Sequence, residues 1–169
     1  HEDGGTGSFD MNISAQMSRK SIRREVYSSN VLGFIEGSDE KLKKEYLVFS
    51  SHLDHLGVRG DGEDNIYNGA YDNAAGIGAI IEIAKVISAM EVKPKRSIIF
   101  AAVTAEEKGL QGSSYYAKNP LVMKKNLVAN INIDMPYLGF PVADLHAFGS
   151  EHSSLYSAVE TATSDLGIQ

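Results

Sequence analysis

Five side chains of this sequence, His52, Asp72, Glu106, Glu107 and Asp134, are of types that bind metals or move protons. Apart from Asp72, each follows an apolar run. One histidine converging with several carboxylates, in a chain without cysteine, makes a nitrogen and oxygen donor set suited to zinc, or to manganese or cobalt. In Ser51-His52-Leu53-Asp54 the histidine and Asp54 are two apart, so on a strand they face the same way. Asp54 can then hold the second ring nitrogen of His52 and fix its tautomer. The adjacent pair Glu106-Glu107 separates two roles. One can bind a metal while the other stays off it as a general base, its pKa raised by burial or by the like charge beside it. Asp72 reads as a carboxylate shared by two ions about 3.5–4 Å apart, an arrangement that holds a water as hydroxide at neutral pH against a polarised carbonyl. The chemistry is peptide or amide hydrolysis. Each feature also has a bland reading: Asp72 as a plain helix cap, the glutamate pair as solvated surface. Their joint placement at strand ends favours a site.

The elements that must position these groups are legible as periodicities. Tyr46 to Ser51 is a short apolar run that reads as a central strand delivering His52. A glycine-rich, acidic loop from Gly57 to Tyr71 leads to Asp72, expected as the N-cap of a helix whose apolar positions 77, 80, 81, 84 and 87 repeat up to Met90. Ala74, Ala75, Gly76, Gly78 and Ala79 keep its first turns slim. Ser97 to Val103 reads as a second buried strand ending near Glu106, and Asn126 to Ile133 as a third ending at Asp134. A short helix is expected over Ser113 to Lys118, and another over Ser153 to Leu166 with Leu155, Val159, Ala162 and Leu166 on one face. Phe9 to Ala15 and Val26 to Glu36 read as strands of an edge hairpin, and Val142 to Phe148 as a fourth core strand. Residues 1–8 are expected to be a flexible leader. The alternation implies one three-layer α/β domain over 9–169, with a largely parallel, mixed sheet of about five or six strands. Sites in such sheets form at the carboxyl ends of strands.

Composition narrows the partners. The 169 residues are 43% hydrophobic and 22% charged, and 22 acids against 16 bases give a net charge of −6, which disfavours nucleic acid and anionic membranes. No apolar run reaches the length of a membrane span. The lack of cysteine excludes disulfides, thiolate metal sites and a cysteine nucleophile. The chain begins at His1 without a signal sequence and reads as cut from something longer.

The ordered motifs Ser51-His52-Leu53-Asp54-His55-Leu56-Gly57, Gly69-Ala70-Tyr71-Asp72-Asn73-Ala74-Ala75-Gly76, Thr104-Ala105-Glu106-Glu107-Lys108-Gly109-Leu110-Gln111-Gly112-Ser113 and Asn130-Ile131-Asn132-Ile133-Asp134-Met135 closely resemble the co-catalytic dizinc aminopeptidases, metallopeptidase family twenty-eight. The resemblance runs from about Val26 onward. It implies a zinc-exopeptidase-like fold and two zinc ions, one bound by His52 and Asp134, the other by Glu107, with Asp72 bridging. It further implies Glu106 as general base, Asp54 as the outer partner of His52, and a cis Asp72-Asn73 peptide bond. The implied substrate is a peptide with a free N-terminus, and many members of the family are secreted or periplasmic.

One departure stands out. The family's last ligand, a histidine well downstream of the Asp134 position, has no counterpart before Gln169, so the catalytic domain is expected to lack its C-terminal part. His146 and His152 read as structural; His55 lies near enough to touch substrate or water. The piece is therefore expected to hold at most one metal firmly, to have little activity, and to expose a sheet surface that invites self-association. Rival readings are a dizinc carboxypeptidase or deacylase, a glutaminyl cyclase-like enzyme, or a non-catalytic binding or dimerisation module of the same fold.

Overall fold

The computed structural model describes residues 9–137 and 139–168, so the expected leader 1–8 lies outside the described residues. Two apolar runs become neighbouring interior strands, β2 (Tyr46–His52) and β5 (Ser97–Val103), paired in parallel with His52 opposite Val103. β1 (Val31–Ile35) pairs antiparallel with the far side of β5, and β6 (Leu127–Asn132) runs parallel to β2, giving the order β1-β5-β2-β6. A separate two-stranded ribbon, β3 (Gly57–Val58) with β4 (Ile66–Tyr67), stiffens the long acidic loop. Three helices follow in chain order: α1 (Ala75–Ala89), α2 (Gln111–Lys118) and α3 (Leu155–Leu166).

The alternation of β5 divides the core into two layers. Ile98 and Phe100 point to α1 and pack with Ile80, Ile77, Ile83, Ala84 and Ile87, while Phe49 stacks on Phe100 at a centroid distance of 5.7 Å. Ile99, Ala101 and Val103 point to the opposite face, where Val48, Tyr46, Leu127 and Tyr116 of α2 cover them. The chain travels from β2 to β5 over α1 and returns from β5 past β2 to β6 over α2. Helices on opposite faces are what right-handed crossovers require when the direction of travel reverses. The carboxyl ends of β5, β2 and β6 therefore share one rim at a reversal of strand order, the place where α/β sheets form sites.

The sheet is smaller than expected. Residues 9–30 form no strand, and Phe9, Met11 and Ile13 are exposed, so the N-terminal hairpin does not exist. Of the run from Val26, only Val31–Ile35 finds a partner, and that partner is β5. Val142 to Phe148 is likewise not a strand: Val142, Leu145 and Phe148 are exposed, and no neighbouring strand offers them ladder bonds. Alternating or apolar residues make a strand only where a partner edge and a buried face are available. α3 forms as its periodicity requires, yet it buries no residue, and Leu166 is exposed.

Candidate metal centre

His52, the last residue of β2, is 3% exposed. Its Nδ1 lies 3.0 Å from the backbone carbonyl oxygen of Asp54. A carbonyl only accepts, so the neutral ring carries its hydrogen on Nδ1 and turns the Nε2 lone pair outward. Nε2 sits 3.1 Å from Asp72 Oδ1 and 3.4 Å from Asp134 Oδ1. Burial works against charge on this ring, and the Asp54 carbonyl with the negative charge of Asp134, Glu106 and Asp72 overcomes it, raising its pKa above the ordinary value. A proton and a cation thus compete for one pocket of negative potential.

The expected role of Asp54 needs correction. Its carboxylate stands 3.8 Å from His52 Nδ1, too far for a hydrogen bond, and instead accepts from the backbone N–H of Glu106 at 3.0 Å and of Glu107 at 3.3 Å. Asp54 therefore orients the histidine with its carbonyl and the glutamate pair with its carboxylate. The turn it holds is tight, since Ala105 takes a positive φ of 53°. Glu106 is pushed upward by burial, against the pull of His52, with Glu107, Asp134 and Asp54 adding to the push.

Asp72 also differs from its expected role as cap. The N-cap of α1 is Ala74, and the side chain that accepts from the helix is Asn73, whose Oδ1 takes the Gly76 N–H at 3.0 Å. Asp72 has non-helical backbone angles (φ −112°, ψ 94°), and the Asp72-Asn73 peptide is cis, as the family resemblance implies. With the Asn73 side chain accepting from the first turn, the Asp72 carboxylate is free to face the rim.

Asn73 is a residue that the sequence reading passed over. It is 2% exposed, and its Nδ2 donates to Ser51 Oγ at 3.0 Å and to the Ile133 carbonyl at 3.1 Å, while its Oδ1 also accepts from the Met135 N–H at 3.2 Å. One side chain thereby fastens the end of β2, the start of α1 and the chain beyond β6, the three segments that carry His52, Asp72 and Asp134. The approach is so close that a Cβ at Gly76 would collide with Ser51 Oγ, Asn73 Oδ1 and the Ile133 carbonyl. The Asn-Ala-Ala-Gly motif supplied the signal, through a capping side chain followed by residues without bulk.

The donors fall into two groups. His52, Asp72 and Asp134 form one, and His55, Asp72 and Glu107 the other, each with its donor atoms within 4.8 Å of one another. Asp72 is common to both, presenting Oδ1 toward His52 and Oδ2 toward His55, 3.6 Å from its Nδ1. Zinc with ligands at 2.0–2.2 Å in tetrahedral array separates its donors by roughly 3.3–3.6 Å; the spacings of 3.1 and 3.4 Å about His52 and 3.6 Å between His55 and Asp72 come close to this, whereas the 2.8 Å between His55 Nδ1 and Glu107 Oε1 is shorter. Glu106 belongs to neither group. Among the described residues, His146 and His152 also lie outside both; His152 is exposed beside Glu151, and His146 stacks near Phe148.

The profile described as "Peptidase family M28" matches residues 30–169. Aminopeptidase NAALADL1 of Mus musculus is 33% identical over 144 residues, spanning 82% of this chain and 17% of that protein. A probable glutamate carboxypeptidase of Arthroderma benhamiae is 31% identical over 144 residues, spanning 82% of this chain and 18% of that protein. Among solved structures, that of BSAP, a zinc aminopeptidase from Bacillus subtilis, superposes with a TM-score of 0.62 at 25% identity, covering 83% of this chain and 33% of that one. The chain thus spans just under a fifth of the length of these curated relatives and about a third of that structure. With its motifs on one rim and its matched region covering most of the sequence, the chain belongs to peptidase family M28.

Proposed function

We propose that this protein is the core of a zinc-dependent aminopeptidase that removes N-terminal residues from peptides. The observation that carries the reading is the division of Asp72, one carboxylate oxygen facing each of two histidine-carboxylate groups, beside a glutamate that belongs to neither. His52, Asp72 and Asp134 would hold one zinc ion, and Asp72 with Glu107 another, and the metal would supply a Lewis acid for the scissile carbonyl and an acidified water. The relatives described as zinc enzymes support that metal. Glu106, fixed by the Asp54 carboxylate through its own N–H, takes the proton from the attacking water and returns it to the departing amine nitrogen. The carbonyl carbon gains the water oxygen and the C–N bond breaks, leaving a free amino acid and a shortened peptide. Asp54 sets the position of the base. The assignment to a secreted or periplasmic enzyme rests on the family resemblance; among the described residues no helix is long and apolar enough to cross a membrane.

A carboxypeptidase-like relative keeps the rival specificity in view. The discriminating experiment offers the full-length enzyme an aminoacyl amide, its N-acetylated counterpart and a C-terminal glutamyl peptide. Release of amino acid from the free amine alone, abolished by a chelator and restored by zinc, is expected. Glu106→Gln should retain zinc while lowering turnover by about 10²–10⁴-fold, the usual worth of a general base. Cleavage of the acylated or C-terminal substrate at equal rate, or unchanged turnover in the variant, counts against the proposal.

A further inference from the structure

The Asp54 carboxylate holds the turn of Glu106 at its middle, and a second side chain holds both of its ends. β1 runs antiparallel to β5, so the chain enters the sheet at the carboxyl rim of β5, and the ladder between the two strands stops at Val31 opposite Ala102. One residue before that pair, the side chain of Asn30 takes over from the backbone. Its Oδ1 accepts from the Thr104 N–H at 3.0 Å, and its Nδ2 donates to the Gly112 carbonyl at 2.8 Å. Thr104 and Gly112 bound the segment on which Glu106 sits. We propose that Asn30 is a positioning residue for Glu106, closing this turn so that the carboxylate is presented to the water it deprotonates. The proposal rests on the reading of Glu106 as general base and adds to it a residue outside both donor groups and outside the motifs that carry the family resemblance.

Three observations carry it. The turn needs an outside hold, because Ala105 and Leu110, neither of them glycine, take left-handed φ angles of 53° and 57°. Such backbone persists only where its surroundings over-determine it. The ends are then brought together and fixed. The Gly112 N–H donates to the Thr104 carbonyl at 2.9 Å, and the Thr104 N–H, past the end of the β1 ladder in a residue only 8% exposed, is taken by Asn30. The Oγ atoms of Ser28 and Thr104 share a further hydrogen bond of 2.7 Å, so the chain entering β1 grips this strand end twice. Finally, the fit leaves no slack: a Cβ at Gly112 would collide with Asn30 Oδ1 and with the backbone of Thr104. A role in holding the sheet alone does not account for this placement. β5 is already paired with β1 as far as Ala102 and with β2 as far as Val103, and what Asn30 secures lies beyond both, where the chain turns toward Glu106.

The test is a double-mutant cycle in the full-length enzyme, read as hydrolysis of an aminoacyl amide with zinc in excess. Asn30→Leu keeps the size of the side chain and removes both polar groups. It should lower kcat by about 10- to 100-fold, since misplacing a reacting group by about 1 Å costs on the order of 10²-fold. KM should stay within about 3-fold, because the interaction lost is one made in the transition state. In the Glu106→Gln background the same substitution should lower kcat by less than about 3-fold, because two residues that act as one unit do not add. A residue that only stabilises the fold would give equal losses in the two backgrounds. Asn30→Asp, which keeps the acceptor for the Thr104 N–H and loses only the donor, serves where the leucine variant fails to fold, and should show the same non-additivity. Equal losses in both backgrounds, a raised KM with kcat unaltered, or wild-type kcat in the folded variant each overturn this inference and leave the proposed function standing. Wild-type turnover in Glu106→Gln alone overturns the assignment of the base, and this inference with it.

Discussion

Asn73→Ala is the substitution whose cost is best worked from the structure. It removes a side chain that makes four hydrogen bonds, to Ser51 Oγ, the Ile133 carbonyl, the Gly76 N–H and the Met135 N–H. Two of the partners recover. The Ser51 hydroxyl can rotate, and Met135 is 47% exposed, so water reaches its neighbourhood. The Gly76 N–H and the Ile133 carbonyl have no such recourse, the former lying in the buried first turn of α1. A buried polar group left without a partner costs about 1–3 kcal/mol, and loss of a capping side chain about 0.5–2 kcal/mol. The sum is about 1.5–5 kcal/mol, a large share of the 5–15 kcal/mol that typically stabilises a domain. At a central urea dependence of about 2 kcal/mol/M, the unfolding midpoint should fall by roughly 0.8–2.5 M. Urea titration followed by far-UV circular dichroism measures it, and Asn119→Ala, on an exposed helix end, is the control. Zinc affinity of the same variant should drop about 10- to 100-fold, because the clamp sets the separation of His52, Asp72 and Asp134. A stability change below about 0.5 kcal/mol with unchanged slope would refute the clamp, since it would mean that the four bonds are replaced at no cost.

Two further outcomes follow from the same geometry. Asp72→Ala removes the carboxylate common to both donor groups, so zinc should be lost from both, read by equilibrium dialysis with metal analysis; full retention of either ion would end the bridging assignment. The sheet carries an open groove of about 530 Å³ on the α2 face, lined by Val48, Val103, Tyr116, Leu127 and Val128, away from the carboxylate rim. With this groove beside the β6 edge, sedimentation should show a concentration-dependent dimer that Val128→Glu disfavours, and a monomer at all concentrations would exclude self-association through this face.

What the sequence displayed and what it hid divide along local and non-local causes. β2, β5 and α1 were legible because each is a run whose own pattern declares its burial, and the register of parallel strands then brings His52, Glu106 and Asp134 together. Phe9 to Ala15 and Val142 to Phe148 have the residues of strands but pair with neither outer edge of the sheet, β1 or β6, a fact that no local pattern contains. Within the site, residue types were legible and atoms were not. A strand places His52 and Asp54 on one side, yet β2 ends at His52, and past that end it is the carbonyl of Asp54 that meets the ring. Asp72 and Asn73 are both good caps, and the choice between them fell to the one that could also reach Ser51 and Ile133. His55 reaches Glu107 only because β2 and β5 are adjacent and the loop at Gly69 folds back over them.

The rim gathers Asp54, Asp72, Glu106, Glu107 and Asp134 around two imidazoles, and like charges so placed repel. Two unit charges 4 Å apart interact by about 4 kcal/mol at an effective dielectric constant of 20. The devices that hold the rim are suited to this. Asn73 is neutral and binds mostly backbone, and the Asp54 carboxylate is directed at two N–H groups, away from its fellow acids. Each fixes backbone near a proposed ligand without adding charge to the centre of the site. Beneath them, Ile98, Ile99 and Phe100 make a core that owes nothing to the carboxylates. The frame can therefore form first and present its acids already converged, and a divalent cation arriving there meets attraction from every side with little backbone left to order. That preorganisation is the physical difference between a metal centre and an acidic cluster on a surface, where the side chains relax apart into water.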